Sequence, residues 1–160
     1  MTKVTDPKTI LDGSPMSRFQ IMAVVLCILL NALDGFDVLA ISFASPGIAS
    51  EWAIDRASLG IVLAMELVGM AIGSILLGGM ADKVGRRPTI LLCLVLMTLG
   101  MYGASLVDTM NHMLVVRLFT GLGIGGMLAS TNAMVAEFSN SKYRNLAVIL
   151  MATGYPLGAI

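Results

Sequence analysis

Acidic side chains inside an apolar segment are the residues of this sequence best suited to chemistry. Asp34 and Asp37 are three residues apart, and Asn31 precedes Asp34 by three, so a helix would place all three on one face. A carboxylate inside a membrane helix costs about 3 kcal/mol and normally faces a water-filled cavity where it has a function. The two aspartates are therefore candidates for binding and releasing protons. For Asp37, a simple cap at the outer end of the helix is the alternative interpretation.

Two further ionisable residues fall in later apolar segments. Arg117 keeps its proton at any physiological pH, so within a membrane it needs an anionic partner or water. One interpretation is an ion pair with a carboxylate of the first helix, broken and remade as protons and an anionic substrate bind. The other is that Arg117 extends to the outer interface. Glu66 is either a second proton-binding site or a neutral acid hydrogen-bonded to a neighbour.

No enzyme chemistry is indicated. Cys27 and Cys93 fall in different apolar segments, and His112 has no companion at a metal-binding spacing. The glycines of Gly123–Gly126 lie within an apolar segment and do not follow a strand, as a nucleotide-binding loop would. We expect no catalytic residues, no metal and no cofactor.

The elements that would position these residues are membrane-spanning helices. Hydrophobic residues make up 57% of the chain, charged residues only 12%, and the mean hydropathy is +0.89. The net charge of zero gives no support for a nucleic-acid partner. About 20 apolar residues are needed to cross a bilayer as a helix. We predict an all-α membrane protein with four complete helices and a truncated fifth, near residues 19–41, 58–80, 89–107, 113–136 and 145–160.

The distribution of Lys and Arg predicts the orientation. With the N-terminus in the cytoplasm, eight cationic residues fall in cytoplasmic segments, whereas the outer segments carry only Arg56. Residues 1–17 would form a cytoplasmic tail, and residues 45–57, which include Pro46, would form an outer loop.

The connection between the second and third helices carries a dense motif. Asp82 is expected just past the end of the second helix, next to two arginines. Such a cluster could hold helix ends together in one state and release them in another, although a topology marker alone is the simpler interpretation. The motif residues are Gly78, Asp82, Lys83, Gly85, Arg86 and Arg87.

Small residues also recur at spacings that permit close helix packing. They form four pairs, each with members four residues apart: Gly69 with Gly73, Ser74 with Gly78, Gly121 with Gly125, and Gly154 with Gly158.

These motifs resemble the major facilitator superfamily. The residues from Gly78 to Arg87 match its loop between helices 2 and 3, and Arg117, Gly121 and Gly125 resemble its helix 4 motif, in which the arginine is linked to proton coupling. Glu137 and Arg144 resemble the element that follows helix 4, although Asn140 and Asn145 replace its proline and glycine. Gly154, Pro156 and Gly158 are similar to its helix 5 element.

The Leu33–Asp37 run resembles helix 1 of the aromatic acid:proton symporters within that superfamily. The resemblance implies that Asp34 and Asp37 are needed for transport. It also implies proton-coupled import of an aromatic carboxylate such as 4-hydroxybenzoate, protocatechuate or benzoate across a bacterial inner membrane. The expected partners are protons, a small anionic aromatic substrate and the lipid bilayer.

The resemblance implies twelve helices in two halves, so we expect residues 18–160 to be part of the first half of a transporter whose C-terminal remainder is missing. Two alternatives stay open. One is a symporter for another organic anion or metabolite, and the other is a structural membrane fragment that does not transport.

Overall fold

The apolar segments form helices throughout the described part of the chain. A computed structural model describes residues 15–52 and 55–160, and all regular secondary structure in these ranges is α-helical, which confirms the predicted fold class. Residues 1–14 of the predicted tail lie outside the described residues. The helices are α1 (Arg18–Trp52), α2 (Arg56–Val84), α3 (Arg86–Ala104), α4 (Met110–Phe138) and α5 (Arg144–Gly158).

Four of these helices are long and apolar enough to cross a membrane. The shortest, α3, has 19 residues, which at about 1.5 Å per residue reaches across about 30 Å of hydrocarbon. Exposed large apolar side chains such as Ile75 and Leu76 give α2 the surface expected of a helix in contact with lipid. The predicted spans near 19–41, 58–80, 89–107 and 113–136 each correspond to one of α1 to α4.

The predicted outer loop over residues 45–57 is largely wrong, because α1 continues through Pro46 to Trp52. Proline removes one backbone N–H, which leaves the carbonyl four residues earlier, that of Ser42, without its helical donor. The Ser45 hydroxyl donates to this carbonyl at 2.8 Å. A local side chain therefore satisfies the carbonyl, and the helix extends well past its predicted end.

The turn between α2 and α3 depends on Gly85. Its φ of 111° is a conformation that residues with a Cβ rarely adopt, and its N–H donates to the Ala81 carbonyl at 3.1 Å. This single residue ends α2 and precedes α3. Asp82 lies in the last turn of α2, so its predicted position past the helix end is corrected by about one turn.

The chain divides into two compact units. The first comprises residues 15–39 with 132–160, and its core contains Val24, Cys27, Val135, Ala147 and Met151. In this unit the Gln20 side-chain amide donates to the Phe138 carbonyl at 2.9 Å, which satisfies a carbonyl at the end of α4.

The second unit is Ala40–Thr131 and includes all of α2 and α3. Its buried apolar side chains come from every helix in the unit, among them Ile41, Val62, Cys93, Met97 and Ile124. The two cysteines of the chain are buried, free thiols, and they belong to different units.

Candidate functional site

The polar face predicted for α1 is buried in the first unit. Asn31, Asp34 and Asp37 are 3%, 0% and 3% exposed. The Asn31 side-chain amide donates to the Met151 carbonyl of α5 at 2.5 Å. Neither carboxylate oxygen of Asp34 has a hydrogen-bond partner among the residues that the structure describes. A buried carboxylate without donors is costly to keep charged.

The position of Asp37 excludes a capping role. α1 continues for 15 residues beyond it, to Trp52, and a cap must lie at a helix end. Asp37 is therefore an interior residue of the membrane-spanning helix.

Glycines bring α5 against this part of α1. A Cβ on Gly35 would overlap the backbone of Tyr155, and one on Gly158 would overlap the backbone of Ala32. Because the two glycines lack side chains, the backbones of α1 and α5 approach each other directly around Asp34. Pro156, which lies between Tyr155 and Gly158, is inside α5.

The second unit contains a buried ion pair between α2 and α4. Arg117 Nη1 lies 3.4 Å from Glu66 Oε2, and the two side chains are 8% and 3% exposed. Since Arg117 is buried and paired, the alternative that it extends to the outer interface is wrong for this structure. Its predicted pairing with a carboxylate of α1 stays a prediction.

Two pairs of glycines hold α2 and α4 together at the level of this ion pair. A Cβ on Gly121 would overlap the Glu66 carbonyl, and one on Gly69 would overlap the Leu118 carbonyl. One turn further along, Gly125 and Gly73 have the same relationship to the facing helix. The spacing of small residues thus fixes the distance from which Glu66 reaches Arg117.

The loop motif forms a second cluster of charge. Arg86 Nη1 and Asp82 Oδ1 are 2.9 Å apart, across the turn made by Gly85. Lys83 and Arg87 are exposed. Gly78, the first residue of the motif, lies about one turn before Asp82 in α2. A Cβ on Gly78 would lie 3.0 Å from the Cβ of Ala129 in α4. The Asp82–Arg86 pair ties the last turn of α2 to the first turn of α3.

The residues that follow α4 build a compact turn. Glu137 is in the last turn of α4 and is exposed, and Arg144 opens α5 and donates to the Ser139 carbonyl at 3.4 Å. The Asn140 side-chain oxygen accepts from the Tyr143 N–H at 3.0 Å. This asparagine therefore forms the turn at the position where the resemblance expected a proline.

The comparison with known families decides the class of the protein. The sequence profile of the Major Facilitator Superfamily matches residues 27–160, which is most of the chain. The chain belongs to the Major Facilitator Superfamily. The described residues include four helices that could cross a membrane, so the chain is a multi-pass integral membrane protein of a transporter family. The prediction that it is not an enzyme is confirmed.

Relatives within the superfamily are similar along nearly the whole chain. The 4-hydroxybenzoate transporter PcaK of Pseudomonas putida is 37% identical over 157 residues, covering 98% of this chain and 35% of the relative. The gallate transporter of Pseudomonas putida is 30% identical, covering 96% and 34%. The benzoate transport protein of Acinetobacter baylyi is 29% identical, covering 100% and 35%. The chain spans about a third of the length of these relatives.

Sequence reasoning did not identify the pairing of Glu66 with Arg117 in this superfamily chain, because the partners are 51 residues apart. The equal spacing of glycines in α2 and α4 was the available indication that these two helices pack together.

The sequence analysis also did not identify Ser130 and Thr131, which are buried in α4. These hydroxyl-bearing residues interrupt an apolar helix, and that interruption could have identified them. The Ser130 hydroxyl has no partner among the described residues.

Proposed function

We propose that this chain is the N-terminal part of a proton-coupled importer of aromatic carboxylates in a bacterial inner membrane. The observation that carries the proposal is Asp34, a carboxylate with 0% exposure inside a membrane-spanning helix and without hydrogen-bond donors among the described residues. The transporters of 4-hydroxybenzoate, gallate and benzoate that resemble the chain support the substrate class.

Asp34 would carry the coupling proton. Its negative charge has no compensating donor in the described structure, whereas binding a proton removes that charge. Asp37 lies one helical turn away, so the two carboxylates would influence each other's proton affinity. Movement of the helices would expose the pair to one side of the membrane and then to the other.

Arg117 would bind the carboxylate of the substrate. A guanidinium offers five donors in a planar arrangement that suits a carboxylate, and it keeps its positive charge in a buried site. Its burial at 6% exposure means that a bound anion would interact with little competition from water.

The Asp82–Arg86 pair would act in gating. It joins the ends of α2 and α3 at the predicted cytoplasmic surface. In a transporter whose two halves rock about a central site, contacts of this kind stabilise one of the two states.

Uptake into proteoliposomes tests the proposal. The full gene product is reconstituted into liposomes. Uptake of radiolabelled 4-hydroxybenzoate is then measured with and without a pH gradient in which the outside is more acidic. We expect accumulation that requires the gradient and is inhibited by benzoate but not by the neutral analogue benzamide. Accumulation that ignores the gradient would contradict proton coupling. Equal inhibition by aliphatic carboxylates would favour the alternative of a transporter for other organic anions.

A further inference from the structure

The contact between Glu66 and Arg117 leaves most of the guanidinium unused. One nitrogen, Nη1, meets one carboxylate oxygen at 3.4 Å, which is long for a charge-assisted hydrogen bond. Arg117 Nε is buried and has no acceptor among the residues that the structure describes. A carboxylate that offers two acceptor oxygens could therefore bind the guanidinium more strongly than Glu66 does.

Among the described residues, Glu66 is the side chain that accepts a hydrogen bond from Arg117. Thr120, one turn along α4 from Arg117, uses its hydroxyl to donate to the Val116 carbonyl at 3.0 Å. The backbone of Glu66 is held in place, because its carbonyl packs against Gly121. Any movement of its carboxylate away from Arg117 must therefore come from rotation of its own side chain.

We propose that Glu66 is the resident counter-ion of Arg117 and that the carboxylate of the substrate displaces it. This inference rests on the proposed function, and it adds a positioning residue to it. A buried guanidinium requires an anion in every state of the cycle. Glu66 supplies this anion in the empty site, and the substrate supplies it in the loaded site with two oxygens in place of one.

Displacement has a defined consequence for kinetics. Competition from Glu66 weakens the binding of the substrate anion, and its return to Arg117 favours release. Removing the charge of Glu66 should therefore tighten binding and slow turnover together. A residue with only a structural role would not lower KM, because damage to packing weakens binding.

The test is the KM for 4-hydroxybenzoate uptake by reconstituted wild type and Glu66→Gln, with Asp108→Asn as a matched control. Asp108 is an exposed acid between α3 and α4, so its substitution removes the same charge away from the site. We expect Glu66→Gln to lower KM at least about threefold and to lower the maximal rate, with wild-type values for the control. The neutral 4-hydroxybenzamide should inhibit neither the wild type nor the variant.

Glu66→Asp provides a second test if the glutamine variant does not reconstitute. Its carboxylate is withdrawn by one methylene, so competition should weaken and KM should fall below that of the wild type. An unchanged or higher KM in whichever variant reconstitutes would overturn the inference while leaving the proposed function intact. If wild type takes up no aromatic carboxylate, the proposed function fails, and the inference fails with it.

Discussion

Glu66 of α2 and Arg117 of α4 form an ion pair of 3.4 Å although they are 51 residues apart in sequence. Both side chains are buried, so each charge depends on the other or on an exchangeable anion. The pair lies between helices whose backbones meet at Gly69 and Gly121. A tightly packed helix pair therefore carries a polar contact between two buried charges.

Asp34→Asn should abolish proton-driven uptake. Asparagine has nearly the same size but cannot carry a proton, so accumulation driven by a pH gradient should fall by about tenfold or more. Exchange of labelled for unlabelled substrate, which needs no net proton movement, should persist. Reconstituted variants would be compared under both conditions, and gradient-driven accumulation at the wild-type level would contradict the role of Asp34.

The helices were predictable because their cause is local. About 20 apolar residues in sequence are sufficient to indicate a span, and α1 to α4 each occupy a predicted window. The end of α1 was not predictable in this way. Pro46 indicates a break, whereas in the folded chain the Ser45 hydroxyl donates to the Ser42 carbonyl and the helix continues to Trp52.

The candidate site was predictable as a set of residues but not as a set of contacts. Asp34, Glu66 and Arg117 stand out because charge is rare in apolar helices. The partner of Arg117 depends on which helices pack together, and that is a property of the folded chain. The same holds for Asn31, whose contact with the Met151 carbonyl joins residues 120 positions apart.

Asp82→Asn should slow transport severalfold without changing the binding of substrate. The substitution removes the 2.9 Å ion pair with Arg86, which joins the last turn of α2 to the first turn of α3. Asp82 is 68% exposed, so little stability should be lost, within about 1 kcal/mol. Maximal rate and KM of uptake would be measured together. A large increase in KM would contradict a role in gating.

Gly121→Ala should destabilise the packing of α2 on α4. Its methyl group would overlap the Glu66 carbonyl, and backbone atoms cannot move aside cheaply, so a loss of about 1–3 kcal/mol is expected. Gly79→Ala is the matched control, because nothing lies within 4 Å of its Cβ position. Thermal unfolding in detergent should show a lower midpoint for the first variant only. Equal midpoints would show that the two helices do not depend on this contact.

Asp55→Ala should weaken the start of α2 at neutral pH. The Asp55 carboxylate accepts from the Ser58 N–H at 3.1 Å, and the hydrogen bonds from Ser58 lower the pKa of this exposed carboxyl. A lowered pKa means that the stabilisation is present above the ordinary value of about 4 and is lost as pH falls through the folded-state pKa.

Unfolding midpoints of wild type and Asp55→Ala should therefore differ at pH 7 and converge in acid. Asp55→Asn should keep the cap at both values of pH, since asparagine is also a good N-cap. A difference between wild type and the alanine variant that does not change with pH would show that the charge of Asp55 contributes nothing.

The most direct test of proton-coupled import is the movement of protons driven by substrate alone. The protein as its gene encodes it is reconstituted with a pH-sensitive dye inside the vesicles and equal pH on both sides, and 4-hydroxybenzoate is added outside. Proton coupling predicts acidification of the interior that benzamide does not cause and that Asp34→Asn lacks. Uptake of 4-hydroxybenzoate by the wild type without acidification would contradict it.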